Sequence, residues 1–102
     1  MIVALGPAVA AARAAAERPA LRRLDAAVVD LERLDAEPSA VAATIAAAGC
    51  GLVVDPWPGL GYGERWAGRL TAAAFGALER PVRSVGPDPD DIVEALTRAA
   101  QD

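Results

Sequence analysis

The chain has 102 residues with a formal net charge of −4, and all ten of its basic residues are arginine. An acidic chain presents no basic field to a phosphate backbone, so nucleic-acid binding is not expected. Histidine and lysine are absent, so a general base would have to be a carboxylate.

The length predicts a single domain, residues 1–102, with a core of its own. Apolar residues make up 54% of the chain, but much of that share is alanine, which buries little area per residue. No uncharged run reaches the roughly 20 residues that span a membrane, so no membrane association is expected. Cys50 is the only cysteine, which excludes an internal disulfide and fits a reducing, cytoplasmic setting. With no histidine to activate its thiol, we interpret Cys50 as a small buried residue and not as a nucleophile.

Strands and helices are predicted to alternate along the chain. Apolar runs indicate strands over residues 2–5, 26–31, 52–54 and 81–85. The alanine-rich segment between Pro7 and Pro19 indicates a helix over about 7–17. Apolar residues at helical spacing indicate helices over about 40–48, about 64–78 and from 89 onwards. This alternation specifies parallel strands joined by right-handed crossovers, with helices on both faces. The predicted fold class is α/β, a small flavodoxin-like three-layer sandwich with four mostly parallel strands.

Two helix boundaries carry strong local signals. Asp88 is followed by Pro89 and then two acids, which gives a capping aspartate, a proline at the first helical position and negative charge near the positive helix end. Gly49 is predicted to end the helix over about 40–48. Ser39 or Asp35 is predicted to cap the start of that helix.

Ligand sites of parallel α/β sheets form at the carboxyl ends of the strands. Gly6, Asp30, Asp55 and residues 86–88 all fall at that end. Three of the four aromatic residues follow the strand over 52–54, within residues 55–66, which we call the aromatic loop. This concentration predicts a site or an interface at the aromatic loop.

The aromatic loop and the helix after it carry residue types that dominate binding energy at protein interfaces. These candidates are Trp57, Tyr62, Arg65, Trp66 and Arg69, with Asp55 at the start of the loop. Pro56 and Pro58 stiffen the segment and so reduce the entropy lost on docking. The alternative is that both tryptophans only close the end of the sheet and fill volume that alanine leaves empty. A small-ligand pocket is a further alternative, without a polar pattern to identify the ligand.

Four segments carry a resemblance to a known family. They are GPAVAAARAAAERP, LDAAVVDL, SAVAATIAAAGCGLVV and RPVRSVGPDPDDIVEALTRA. In this order they resemble the later part of the receiver domain of bacterial response regulators. The resemblance implies a receiver-like fold and a role in bacterial signal transduction. It also places Asp30 at the position of the aspartate that receivers phosphorylate.

The chain departs from the receiver pattern at the residues that carry its chemistry. Nothing matches the family's first strand and helix, or the acidic pair that holds Mg²⁺. The threonine or serine that the family has after its next-to-last strand is replaced by Asp55 and Pro56, and the family's lysine falls near Arg83. Because phosphoryl transfer needs cations to offset the charge on the phosphoryl oxygens, the resemblance implies a module that binds without catalysing.

In the family, the unmatched strand lies in the middle of the sheet. Its loss would expose two unpaired strand edges, which is unfavourable in water. Either residues 2–5 fill the central place, or a second chain supplies the pairing and the protein is a homodimer. The predicted partner is therefore a second copy or another protein, docked through the aromatic loop and the helix that follows it.

Other functions start from the strand-end carboxylates. Asp30 and Asp55 end strands that could be neighbours, so a shared Mg²⁺ site is an alternative to the expectation of no cofactor. A phosphoacceptor role for Asp30, and a small enzyme or ligand-binding protein that uses both carboxylates, also stay open. Gly6, Ala8 and Ala11 mimic the spacing of a dinucleotide fingerprint, but Ala8 places a methyl group where the bare backbone must approach the ligand.

Overall fold

The computed structural model describes residues 1–31, 38–78 and 80–100. Its four strands are β1 (Ile2–Leu5), β2 (Val28–Leu31), β3 (Leu52–Val54) and β4 (Arg83–Val85). They form one parallel sheet in the order β2-β1-β3-β4. The predicted α/β class is confirmed, and the order matches the first four positions of the flavodoxin-like order 2-1-3-4-5.

Helices connect the strands. A 3₁₀ turn over Gly6–Ala8 leads from β1 into α1 (Val9–Ala16), and α2 (Pro19–Arg22) follows. The remaining helices are α3 (Pro38–Ala48), α4 (Tyr62–Ala73) and α5 (Pro89–Ala99). Proline cannot continue a helix but suits its first position, which explains why α1 ends before Pro19 and α2 begins there. None of the helices in the described part of the chain is long and apolar enough to cross a membrane.

The central strand of the sheet is β1. Its residue Ile2 pairs with Val28 of β2 on one side and with Leu52 of β3 on the other. All four of its side chains are buried, as a continuous apolar run requires when helices cover both faces of a sheet. The described strands leave no gap in the sheet, and residues 2–5 of the same chain occupy its centre.

The two faces of the sheet pack against different helices. Val3, Val53 and Leu31 lie on one face, in a cluster with buried residues of α3 and α4. Ala4 and Val54 lie on the other face, in a cluster with buried residues of α1, α2 and α5. The side chains of successive strand residues alternate between these faces, so the register fixes the direction of every strand-end side chain.

The local signals at helix ends are confirmed where the structure describes them. Asp88 has extended backbone, and its Oδ1 accepts a hydrogen bond from the N–H of Asp90 at 2.8 Å. Gly49 follows α3 with a φ of 83°, and its N–H donates to the carbonyl oxygen of Ile45 at 2.9 Å. Ser39 lies within α3, while Asp35 lies outside the described residues.

Two strands and one helix differ in extent from the prediction. β2 begins at Val28 instead of residue 26, and β4 begins at Arg83 instead of residue 81. Pro81 has no N–H, and the N–H of Val82 donates to Oγ1 of Thr71 at 2.9 Å, so neither residue offers a donor to a ladder. α4 begins two residues earlier than predicted and ends at Ala73, after which residues 74–77 form turns.

Candidate functional site

Asp55 directly follows β3 at the carboxyl end of the sheet. Among the described residues it is the only polar or charged residue that is buried, with 2% of its surface exposed. Both of its carboxylate oxygens accept backbone hydrogen bonds: Oδ1 accepts from the N–H of Trp57 at 2.8 Å, and Oδ2 accepts from the N–H of Gly63 at 2.9 Å. We call this arrangement the Asp55 cap. It gives each oxygen of the buried carboxylate a hydrogen-bond partner within the chain.

The Asp55 cap lies at the N-terminus of α4, where it replaces a local cap. Gly61, immediately before α4, has a φ of 82° and provides no side-chain hydrogen bond. The first N–H groups of a helix have no partner within the helix and favour a nearby negative charge. The carboxylate of Asp55, eight residues before Gly63, fills this place.

Close packing at Gly63 holds the end of α4 against the sheet. A Cβ atom at Gly63 would lie 2.2 Å from Oγ of Ser84 and 2.6 Å from Cβ of Asp55. The N–H of Asp55 also donates to the carbonyl oxygen of Val85 at 2.8 Å. β3, β4 and α4 therefore meet at this point, and only glycine fits at residue 63.

Large apolar side chains project from the loop that the Asp55 cap holds. Trp57 is 50% exposed, Leu60 is 67% exposed and Tyr62 is 39% exposed. We call these three residues the aromatic patch. The N–H of Leu60 donates to the carbonyl oxygen of Trp57 at 3.1 Å, which adds a turn inside the loop.

The two tryptophans of the aromatic loop have different surroundings. Trp66 is 3% exposed and packs in the core cluster under α3 and α4, so it fills volume and is unavailable for docking. This corrects the inclusion of Trp66 among the contact residues. Trp57 is half exposed and belongs to the surface.

Two arginines extend the aromatic patch along α4. Arg65 and Arg69 are both exposed. Tyr62, Arg65 and Arg69 stand at spacings of three and four residues, so they share one face of the helix. Of the predicted contact residues, Trp57, Tyr62, Arg65 and Arg69 are exposed, whereas Asp55 and Trp66 are buried.

Asp30 is separated from Asp55. The prediction that they end neighbouring strands is wrong, because β1 lies between β2 and β3. Asp30 is exposed and pairs in register with Ala4, whose side chain faces α1 and α5. Asp55 follows Val54, which also faces α1 and α5, so the Asp55 side chain points to the opposite face, toward α4. A Mg²⁺ ion shared by the two carboxylates does not fit this geometry.

No alternative cluster replaces that metal site within residues 1–31, 38–78 and 80–100. No group of three or more Cys, Asp or Glu side chains in these ranges is placed to hold a metal ion. The segment that mimics a dinucleotide fingerprint forms the 3₁₀ turn after β1, and Ala8 is buried in the core.

The strand order also separates the two strand-end aspartates by position in the sheet. Asp30 lies in β2, at one end of the order β2-β1-β3-β4. Asp55 directly follows β3, which pairs with both β1 and β4.

The amino group of Met1 lies at the opposite end of the sheet, and its pKa is shifted. Burial lowers the pKa of the Met1 amino group, because a charged amine loses hydration there, while the nearby Cys50 thiol acts in the opposite direction. The amino group donates to the carbonyl oxygen of Cys50 at 3.4 Å. Both residues line a cavity of about 420 Å³. Cys50 is half-buried and packs against the core, consistent with its interpretation as a filler.

Two exposed apolar residues and one glycine were not singled out from the sequence. Leu60 belongs to the aromatic patch, and Phe75 is 87% exposed just after the C-terminal end of α4. Gly63 carries no local signal, because its role depends on a contact with Ser84 more than twenty residues away. The only sequence feature that could have predicted the exposure of Leu60 is the Pro-Gly composition of the loop, because a residue between turn residues tends to lie at the surface.

No family model matches the chain, and no curated protein matches it.

Proposed function

We propose that the chain is a non-catalytic, receiver-like protein-interaction module that docks a partner, in the first instance a second copy of itself, through the aromatic patch. The observation that carries the proposal is the combination of three large exposed apolar side chains with the Asp55 cap that fixes their loop. Tryptophan and tyrosine are enriched among residues that dominate interface energies.

Fixing the loop in advance favours binding. Ordering a flexible segment on association costs free energy, and a segment that is already ordered avoids much of that cost. Two hydrogen bonds to Asp55, the turn at Leu60 and the prolines Pro56 and Pro58 restrict the backbone before any partner arrives. The patch therefore loses less of its burial energy to ordering the loop.

The surroundings of the patch supply the polar rim that interfaces have. Arg65 and Arg69 continue the exposed face of α4 beyond Tyr62. The guanidinium group stacks on aromatic rings and forms bidentate hydrogen bonds with carboxylates. A second copy provides both kinds of partner, because each protomer would bring an aromatic patch and an acidic net charge.

The oligomeric state of matched variants tests the proposal. Size exclusion with light scattering on the wild type should give a dimer whose population rises with protein concentration. Trp57→Ala and Leu60→Ala should shift the equilibrium to monomer, because each removes exposed apolar area and leaves the core intact. Phe75→Ala is the matched control, since it removes an exposed aromatic ring from the other end of α4 and should leave the dimer unchanged.

Trp66→Ala is unsuitable for this test, because Trp66 is in the core and its loss would unfold the protein before it reports on docking. A wild type that stays monomeric at millimolar concentration and captures no protein in pulldowns would contradict the proposal. A dimer that persists in Trp57→Ala and Leu60→Ala would place the interface elsewhere.

A phosphoacceptor role for Asp30 is a second candidate, supported by the exposure of its carboxylate. Incubation with acetyl phosphate and Mg²⁺, followed by intact mass measurement, tests it. A mass increase of one phosphoryl group that disappears in Asp30→Ala would support this function over simple docking. An unchanged mass would remove it.

A further inference from the structure

The turn that leads from β4 into α5 lies beside the aromatic loop. The N–H of Asp55 donates to the carbonyl oxygen of Val85, the last residue of β4, at 2.8 Å. A Cβ atom at Gly86 would lie 3.6 Å from Cγ of Pro58, the neighbour of Trp57 in the loop. The first turn of α5 follows directly, so it borders the loop that carries the aromatic patch.

This border of the patch is acidic. Asp88 precedes α5, Asp90 and Asp91 lie in its first turn, and all three are exposed. Asp90 pairs with Arg18 at 2.9 Å, and Asp88 accepts the N–H of Asp90. The side chain of Asp91 makes no hydrogen bond or ion pair in the described part of the chain, so its charge is not balanced there.

The border on the side of α4 is basic. α4 packs on the opposite face of the sheet from α5. Arg65 and Arg69 lie on its exposed face, and neither side chain makes a hydrogen bond or ion pair within residues 1–31, 38–78 and 80–100. Glu64 is also exposed, but with Gly68 it lines the groove that runs along β4 toward α5. The patch therefore has unpaired arginines toward one face of the sheet and acids toward the other.

This division of charge is complementary to itself. Two copies of the chain repel each other at long range, because each carries a net charge of −4. Their association therefore depends on opposite charges that meet locally at the interface. Each copy carries both signs at the same patch, so a second copy offers acids to the arginines and arginines to the acids.

We infer that two copies dock patch to patch about a two-fold axis that lies at right angles to the line from Asp91 to the arginines. In this orientation Asp91 of each protomer meets Arg65 and Arg69 of its partner. The inference rests on the proposed self-association and adds to it the symmetry of the dimer and the residues that pair across it. Both copies use the same surface, so the contact closes at two chains and does not extend into a fibre.

The charges select this orientation over the other two-fold arrangement. A two-fold axis along the line from Asp91 to the arginines would bring arginines onto arginines and acids onto acids, and like charges oppose such a contact. The paired groups are exposed, so they contribute orientation and association rate more than strength. The apolar area of the aromatic patch supplies most of the affinity, and added salt should weaken the dimer moderately.

Reversal of the charges tests the pairing. One variant combines Arg65→Glu with Arg69→Glu, and the other carries Asp91→Arg. Each places like charges at both ends of the two-fold contact, so each should raise the Kd of the dimer by about tenfold or more in light-scattering measurements at low salt. The matched control combines Arg13→Glu with Arg23→Glu, exposed arginines of α1 and of the residue after α2. It has the same net charge as the first variant and should dimerise more strongly than that variant.

A mixture of the two charge-reversed variants tests the symmetry. In a heterodimer, the glutamates of one chain face the new arginine of the other, and Asp91 of the first chain faces the native arginines of the second. Opposite charges therefore meet again at both contacts. Native mass spectrometry separates the two chains by mass, and it should show the heterodimer as the dominant dimer. Each variant alone should be largely monomeric at the same concentration.

The outcomes separate this inference from the proposed function. A dimer that Trp57→Ala dissociates but that both charge reversals leave unchanged would overturn the inference alone. The same holds for equal weakening by the Arg13 and Arg23 control, for a mixture with no excess of heterodimer, and for wild-type assemblies larger than two chains. A wild type that stays monomeric at millimolar concentration would overturn the inference together with the proposed self-association.

Discussion

The N-termini of α4 and α5 are both capped by an aspartate, but the two caps differ in place and in burial. At α5, Asp88 directly precedes the helix, is exposed, and accepts one hydrogen bond from Asp90. At α4, the cap is Asp55, which lies at the end of β3, is buried, and accepts two hydrogen bonds across a loop. A local cap stabilises its own helix, whereas the Asp55 cap joins a strand, a loop and a helix.

This difference bears on the docking surface that we propose. Exposed aromatic side chains on an unsupported loop would collapse onto the core or move freely. The Asp55 cap prevents both, because it fixes the backbone at Trp57 and at Gly63 on the two sides of the exposed segment. The α5 end carries no exposed aromatic residue and needs only the local cap.

Asp55→Ala is expected to give the largest effect on this comparison. It removes the partner of the buried N–H of Gly63 and of the part-buried N–H of Trp57, and an unsatisfied buried group costs about 1–3 kcal/mol. We expect the free energy of unfolding to fall by about 2–4 kcal/mol in urea titrations. Asp55→Asn keeps one acceptor oxygen, so its free energy of unfolding should lie between those of the wild type and Asp55→Ala. Equal stability of Asp55→Ala and the wild type would contradict the cap.

Gly63→Ala is expected to come next. Its Cβ atom would overlap Ser84 and Asp55, and overpacking of this kind costs about 1–3 kcal/mol. Gly68→Ala is the control in the same helix, because an added Cβ atom there meets no atom within 4 Å. Alanine is the better helix former, so Gly68→Ala should raise the free energy of unfolding by about 0.5–1 kcal/mol. Opposite signs for the two substitutions are the expected result, and the same sign would contradict the close approach at Gly63.

Asp88→Ala should cost less than either change at α4, since loss of a local cap costs about 1 kcal/mol. Thermal unfolding followed by circular dichroism measures this. The tryptophan fluorescence should stay as in the wild type, because the hydrogen bond of Asp88 is made within the first turn of α5. A change in that fluorescence would show that the two caps are coupled.

Arg18→Gln should have the smallest effect. Arg18 pairs with Asp90 at 2.9 Å, and both side chains are largely exposed, so the ion pair contributes about 0–1 kcal/mol. Added salt should abolish the difference in the free energy of unfolding between this variant and the wild type in urea titrations. A loss of more than about 2 kcal/mol would show that the first turn of α5 depends on this pair and not on Asp88 alone.

The contrast between the two caps also shows how far the sequence alone could lead. The cap at Asp88 and the helix end at Gly49 are local patterns of a few residues, and both were predicted. The Asp55 cap spans eight residues, and its partner Gly63 is defined by the approach of Ser84 from another strand. No local pattern records such a contact.

Two further features depend on packing across the whole sheet. Alternation of strands and helices predicted the fold class, but the central place of β1 is set by pairing between distant strands, and it separates Asp30 from Asp55. Trp66 shares the apolar stripe of its helix with Leu70, which favours a buried position, whereas no local pattern predicts the exposure of Trp57 in the loop before the helix. The candidate residues were found from composition, whereas the structure was needed to show which of them are buried and which are exposed.

Hydrogen exchange at two amides tests the Asp55 cap most directly. The amides of Trp57 and Gly63 donate to the carboxylate of Asp55, so in the wild type both should exchange far more slowly than in an unstructured peptide. In Asp55→Ala, measured without denaturant, the amides of residues 57 and 63 should lose this protection, while the amides of α5 should stay protected. Fast exchange at Trp57 and Gly63 in the wild type would contradict the cap and, with it, the rigidity of the proposed docking surface.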